Sequence, residues 1–237
     1  TNTLSYDNDR EETYETQLSR EKWNNNDLES FYKYINPDLY SFDELSPKAQ
    51  ENAIANVSNF DIWNDMLKDD YAELLKEKFP ESNDSLNVYY NLNYSQGDGV
   101  GLSGSVTLKE LEQFTGITLS EKAKEELEYF VNIDDIKINN PQRNCFFLNH
   151  MIDVQQHFED VDEAYEYGYD FTEKEIDECA IELENFDAEV NKKFKDFCNE
   201  MKNFGYKFFE DVNMYIDYIK TEDIKFNEYG EIDYSKI

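Results

Sequence analysis

The last third of the chain carries a stripe of apolar residues that leaves little choice of secondary structure. From Thr172 onward they recur at steps of three and four, the spacing of one face of an α-helix. Unbroken to Lys220, this helix would extend about 73 Å. Gly205 is a candidate break, so one rod and two stacked helices are both open. The stripe comprises Ile176, Cys179, Leu183, Phe186, Val190, Phe194, Phe197, Met201, Phe204, Phe208, Val212, Tyr215 and Ile219.

Shorter helices and strands are predicted ahead of the stripe. Ser46 followed by Pro47 is typical of a helix start, and a second helix is expected over residues 61–79, ending at Pro80. Its apolar positions are read as Ile62, Met66, Leu74 and Leu75. Further helices are expected over residues 108–114 and 120–131, and strands over residues 39–42, 133–138 and 145–154.

A β-hairpin is predicted in the middle of the chain. Residues 86–94 alternate between apolar and polar, residues 100–106 read as the returning strand, and Ser95-Gln96-Gly97-Asp98-Gly99 is a turn signal. In such a turn the glycines are expected to supply positive φ.

The whole pattern predicts an α+β fold: a small antiparallel β-sheet with packed helices and a long acidic C-terminal helix or helical hairpin. We expect residues 1–30 to be a flexible acidic arm and residues 31–237 a single domain, with a mixed part (31–158) and a mainly helical part (159–237).

The charge balance restricts the partners of the chain. It has 22 Lys and Arg against 54 Asp and Glu, for a formal net charge of −32, and 16% of its residues are aromatic. The aromatic content argues against a disordered acidic chain, because such chains are poor in rings. Proteins that bind nucleic acid or anionic membranes do so with Lys and Arg. We therefore expect no direct nucleic-acid or membrane binding, and a basic protein as partner.

The cysteines and the apolar runs predict a cytoplasmic location. No apolar run approaches the ~20 residues of a membrane span, and the N-terminal residues lack the pattern of a secretory signal. Cys145, Cys179 and Cys198 form no C-x-x-C pair, which suits a reducing compartment. Cys179 and Cys198 fall on the long helix and are expected to be core residues.

Acidic residues are densest between Glu159 and Glu189, where 14 acids are opposed only by Lys174. One interpretation is a solvated face that keeps the protein soluble. The other is mimicry of nucleic acid, since B-DNA presents a negative charge every ~1.7 Å and a rod of carboxylates could occupy a basic groove. The predicted partner-binding residues are Glu159, Asp160, Asp162, Glu163, Glu166, Asp170, Glu173, Glu175, Glu178, Glu182 and Glu189.

An alternative ligand site combines Gln96, Asp98 and His150. The turn could hold an anion or place Asp98 as a metal ligand or base, but it matches no phosphate-binding motif, and a plain hairpin turn is the preferred explanation. His150 and His157 lie seven residues apart, a spacing that fits no standard zinc site. No catalytic pair can be argued. We therefore expect no metal and no cofactor, and an enzyme is the minority interpretation.

The motif F-D-E-L-S-x-x-A-Q-x-x-A at residues 42–53 resembles the opening of a family of phage and prophage proteins. The resemblance continues with an aromatic-S-Q-G-D-G hairpin at Tyr94–Gly99, a histidine in a short strand (His150), a long acidic helix and a closing segment like residues 224–230. It implies a phage or mobile-element origin and an intracellular role, with no reaction attached. Some family members are described as antitoxin-like.

These observations lead to one function hypothesis and two alternatives. The first is a phage-encoded anti-defence protein, of anti-CRISPR or antirestriction type, that inhibits a host nuclease or its guide complex through a nucleic-acid-mimicking surface. The second is an antitoxin-like neutraliser of a basic toxin, which uses the same electrostatics. The third is a small-molecule-binding protein or enzyme centred on the hairpin. The long helix is also a candidate homodimer interface.

Overall fold

The protein has the predicted α+β fold, with a small antiparallel sheet, packed helices and a long helix near the C-terminus. The structure, a computed structural model, describes residues 39–95, 97–138 and 152–232. The described residues form seven α-helices and one three-stranded sheet. They group into two compact units, residues 39–60 with 212–232 and residues 61–211. The predicted arm (1–30) lies outside the described residues, and the division at residue 158 stays a prediction.

The smaller unit is built on two helices, α1 (Pro47–Val57) and α7 (Val212–Thr221). Helix α1 begins as predicted, because the Ser46 hydroxyl accepts a hydrogen bond from the Ala49 N–H at 3.3 Å. Asn52 and Asn56 on α1 donate to the carbonyls of Tyr229 and Gly230. The closing segment of the chain is thereby tied to α1.

The strand predicted over residues 39–42 is reduced to a single bridge. Tyr40 pairs with Phe226, and Phe226 pairs with Ile232. Phe42–Glu44 forms a 3-10 turn instead, because Ser41 and Glu44 cap it reciprocally. These bridges lie within the smaller unit and join Tyr40 to the closing segment of the chain through Phe226.

The sheet of the larger unit contains the predicted hairpin. Strands β1 (Asn87–Asn91) and β2 (Gly99–Val106) pair antiparallel, with Asn91 opposite Gly99. Strand β3 (Ile136–Ile138) pairs with the other edge of β2. The left-handed residue at the hairpin end is Tyr94 (φ 55°) and not Gly97, so the expectation that the turn glycines supply positive φ is wrong for Gly97.

The larger unit also contains five helices. Their bounds are α2 Ile62–Lys78, α3 Leu108–Thr115, α4 Glu121–Phe130, α5 Val161–Glu166 and α6 Glu173–Glu210. The helices predicted over 61–79, 108–114 and 120–131 are confirmed. The long helix α6 packs against β2 and against α3 and α4, and the core is rich in rings, including Phe79, Phe194 and Phe197.

The buried face of α2 differs from the prediction. Ile62 and Met66 are exposed, whereas the buried residues are Trp63, Leu67, Tyr71 and Leu75. The buried residues repeat every four positions, and two of them, Trp63 and Tyr71, carry large rings. Because burying these rings removes more apolar surface from water than burying Ile62 and Met66 would, the helix faces the core with them. The predicted stripe is therefore wrong by one position at its start.

Helix α6 confirms most of the predicted stripe, with a different end point. The residues of the stripe from Ile176 to Met201 are buried, while Phe204 and, in α7, Val212 are exposed. Gly205 does not break the helix, which ends at Glu210 and leaves Asp211 before α7. The 38 residues of α6 span about 57 Å at ~1.5 Å per residue. Because the stripe is covered within the larger unit, a homodimer through α6 would have to use its polar side.

Candidate functional site

The acidic segment (residues 159–189) begins just before helix α5, continues through the connection over residues 167–172 and ends in the first half of α6. The apolar face of α6 is buried in the core. Five of the predicted partner-binding residues have exposed side chains and no structural role in the contacts of the described residues. These five, which we call the open carboxylates, are Glu159, Asp162, Glu166, Asp170 and Glu173.

The charged residues of helix α6 are distributed unevenly along its length. Residues 173–191 hold eight acids and one base, whereas residues 192–210 hold three acids and five bases. Two of these acids, Glu173 and Glu175, lie in the first turn, where the positive end of the helix macrodipole stabilises them. The negative charge of α6 is concentrated in its first half.

Four of the predicted partner-binding residues instead hold helix ends. Asp160 accepts from the Glu163 N–H at 2.9 Å, and the Glu163 carboxylate accepts from the Glu159 N–H at 2.7 Å, so that both secure the start of α5. The Glu175 carboxylate accepts from the N–H and hydroxyl of Thr172. These hydrogen bonds, the backbone one first, lower the pKa of Glu175.

The fourth, Glu182, caps a neighbouring helix. Its carboxylate accepts from the Ser120 N–H at 2.6 Å and from the Ser120 hydroxyl at 2.7 Å, at the start of α4. Glu175, Glu178 and Glu182 are all predicted to bind a partner, but the carboxylates of Glu175 and Glu182 are structural. Reversing all three charges would therefore disturb the fold as well as the surface.

The remaining two predicted residues form ion pairs on the same helix. Glu178 lies 2.9 Å from the Lys174 ammonium, and Glu189 lies 3.0 Å from the Lys192 ammonium. The Glu178 side chain is 62% exposed and its pair is open to solvent. Such pairs contribute little to stability, typically below about 1 kcal/mol, so Glu178 remains available to a partner.

Three buried polar residues hold the extended segment 152–158 against α6 and α4, a role that was not predicted from the sequence. Asn191 donates to the Ile152 carbonyl and accepts from its N–H, and Asp187 accepts from the Val154 N–H at 3.0 Å. Among the described residues, this segment pairs with no strand. A signal was present, because Asp187 and Asn191 lie four residues apart on the apolar side of α6.

Glu126 of α4 completes this set and is fully buried. It accepts from the Phe158 N–H at 2.6 Å, while its second oxygen has no hydrogen-bond partner. Burial raises the pKa of Glu126, against the opposing effects of the Phe158 N–H, the Cys179 thiol and His157. The sequence offers no signal for it, because Glu126 is one acid among many on α4.

The alternative ligand site is built differently from the prediction. Gln96 and His150 lie outside the described residues. Asp98 is buried, and it accepts hydrogen bonds from the hydroxyls of Tyr206 and Ser95. Burial opposes ionisation of Asp98, but these hydrogen bonds outweigh it and hold its pKa below the ordinary value. The carboxylate therefore ties the hairpin to α6 and is not presented to a ligand.

The two described cysteines are core residues, as predicted. Cys179 and Cys198 are buried, and burial raises the pKa of both thiols to about 12, with Glu126 adding to the effect at Cys179. Neither thiol is a nucleophile near neutral pH, because the thiolate is the reactive form. Cys145 lies outside the described residues. Within the described ranges, no three His, Cys, Asp or Glu side chains are grouped to bind a metal ion.

No helix among the described residues is long and apolar enough to cross a bilayer.

Comparison with models of known families, with curated proteins and with solved structures found no match to this chain.

Proposed function

We propose that this chain is a phage-encoded anti-defence protein that acts in the host cytoplasm on a nucleic-acid-binding nuclease of a CRISPR or restriction system. In this proposal the acidic segment occupies the basic groove that otherwise holds DNA or RNA. The observation that carries the proposal is the exposure of the open carboxylates, which lie on and beside α5 and at the start of α6.

Charge and rigidity both support mimicry of nucleic acid. A net charge of −32 creates a field that steers a basic partner toward the chain. A carboxylate on an anchored helix is pre-positioned, so little conformational entropy is lost on binding. A flexible acidic tail would carry the same charge at a larger entropic cost. The small-molecule alternative has less support, because Asp98 is already satisfied within the fold.

The direct experiment is a DNA-cleavage assay with a panel of purified restriction endonucleases and guide-loaded CRISPR nucleases. The proposal expects inhibition of at least one nuclease, with competition between the chain and the nucleic acid for the same site. Failure to inhibit any of them, together with capture of a small basic protein that this chain neutralises in a growth assay, would favour the antitoxin alternative.

The acidic segment is tested by a matched pair of triple charge reversals. The test variant is E166K/E173K/E178K, which leaves the four helix-end carboxylates untouched. The control is D69K/E73K/E77K, three exposed acids along one face of α2 in the same unit. Each reversal changes the net charge by two, so both triples change it equally.

The proposal expects the test triple to lose inhibition by at least ten-fold and the control triple to change it much less. Equal losses would mean that net charge alone is responsible. If neither triple changes inhibition, the acidic segment is only a solvated face.

A further inference from the structure

Three exposed tyrosines lie in or against the acidic segment, two in the segment itself and one on α4. The side chains of Tyr165, Tyr167 and Tyr129 are 77%, 52% and 37% exposed. The rings of Tyr129 and Tyr167 are in contact, with centroids 4.5 Å apart. We call these three residues the tyrosine face. Large rings exposed together are unusual on a polar surface and are enriched in binding sites.

The tyrosine face rests on a small buried core. Tyr129 and Tyr167 both pack over Phe158, at centroid distances of 5.2 and 6.4 Å, and Phe158 is fully buried with Phe171 and Ile176. The two outer rings are therefore held in place before any partner arrives. Pre-positioned tyrosines lose little conformational freedom on binding.

Exposed acids flank these rings. Glu125 lies four residues before Tyr129 on α4, and Asp162 lies three residues before Tyr165 on α5. Residues at these spacings are neighbours on a helix surface, about 5–6 Å apart at Cβ. Each of these two tyrosines thus has a carboxylate beside it.

The same unit already holds one cation between a ring and a carboxylate. The Lys122 ammonium lies 4.4 Å from the centroid of the Phe171 ring and 3.8 Å from the Glu175 carboxylate. Cations bind ring faces through the quadrupole of the π-system. The tyrosine face offers an external partner the same combination of ring and acid.

Of the possible occupants, an arginine side chain fits this chemistry best. A second copy of this chain would bring the same negative charge and be repelled. A lysine ammonium is strongly hydrated, whereas the planar guanidinium stacks on rings and is more weakly hydrated. We propose that the tyrosine face binds arginine side chains of a protein partner, with the ring faces taking the guanidinium plane and the flanking carboxylates its N–H groups. The inference rests on the proposed function, because it specifies which basic group of the partner is recognised.

The test compares two peptides of equal length and charge on the full chain. Each peptide has six cationic residues separated by Gly-Ser spacers, arginine in one and lysine in the other, and the Kd is measured by titration calorimetry. An exposed cation–π contact contributes about 0.5–1 kcal/mol, which corresponds to a two- to five-fold preference per contact. We expect the arginine peptide to bind more tightly by at least this factor.

Two tyrosine variants and one control locate the effect. Y165S/Y167S is expected to lower the affinity for the arginine peptide to that for the lysine peptide, whereas Y165F/Y167F, which keeps the rings, retains the preference. The control Y89S/Y229S removes two exposed tyrosines outside the acidic segment and should change neither Kd. Thermal unfolding verifies that each variant is folded.

Three outcomes overturn the inference. If both peptides bind equally and the tyrosine variants change nothing, the tyrosine face has no role and the proposed function stands. If neither peptide binds at low salt, the proposed function fails as well. If the peptides bind equally and Y165S/Y167S converts a dimer to a monomer in sedimentation, the face belongs to a second copy of the chain.

Discussion

The packing of Gly205 against Tyr71 allows a quantitative prediction about the scaffold of the acidic segment. A Cβ at Gly205 would lie 2.3 Å from the Tyr71 hydroxyl oxygen and 2.5 Å from Cδ1 of Leu92. Tyr71 is fully buried, and its hydroxyl donates to the Met201 carbonyl at 2.9 Å. The half-buried Leu92 side chain can rotate away, but the Tyr71 ring is enclosed and must shift.

The magnitude follows from three opposing effects. Overpacking a core costs about 1–3 kcal/mol, and loss of the Tyr71 hydrogen bond costs about 0.5–1.5 kcal/mol. Replacing Gly by Ala inside a helix gains roughly 1 kcal/mol. G205A should therefore destabilise the protein by about 0.5–3.5 kcal/mol.

A double-mutant cycle with Y71F isolates the contact. Removal of the hydroxyl leaves the new Cβ in ordinary contact with Cζ of residue 71, at 3.5 Å. The double variant should be more stable than the sum of the single variants predicts, by roughly 1–2 kcal/mol. The free energies of unfolding are measured by urea denaturation. Additivity within about 0.5 kcal/mol, or a neutral G205A, would refute this explanation of the glycine.

Three further predictions concern single carboxylates. Burial raises the pKa of Glu126, so the folded state loses stability as the pH rises from the pKa of Glu126 in the unfolded chain through its pKa in the folded one. The stability of E126Q relative to the wild type should therefore be higher at pH 8 than at pH 4. A difference in the free energy of unfolding, measured by urea denaturation, that does not change with pH would contradict this. E182Q should destabilise the protein by about 1 kcal/mol, because capping at Ser120 becomes weaker. The control E178Q should change the free energy of unfolding by less than about 0.5 kcal/mol. Equal effects of the two variants would contradict the capping role of Glu182. D98N should lower the melting temperature and leave nuclease inhibition intact; a folded D98N variant without inhibition would revive the ligand site.

The periodicity of the sequence predicts the long helix and the hairpin, but not which residues these elements contact. Steps of three and four identified α6, and alternation identified the hairpin, because both patterns reflect burial of one face. Gly205 suggested a helix break because glycine has a low helix propensity. The reason for a glycine there is Tyr71 on α2, a contact that no local pattern contains.

The acidic segment shows the same limit. Composition and spacing located its carboxylates, but could not separate those that cap helices from those open to solvent. Glu175 has a local signal, the capping box Thr172-x-x-Glu175, whereas Glu182 caps Ser120 in a different helix. Long-range hydrogen bonds of this kind depend on tertiary packing, which the sequence alone does not display.

The central claim, that exposed carboxylates drive association with a basic nuclease, is tested most directly by the salt dependence of the association rate constant. The rate is measured by stopped flow with the inhibited nuclease, from low ionic strength to about 0.15 M, where the Debye length shrinks to ~8 Å. We expect a drop of at least ten-fold, because long-range steering is screened. E166K/E173K/E178K should begin from a lower rate and show a shallower dependence. A rate that does not change with salt would contradict electrostatic mimicry.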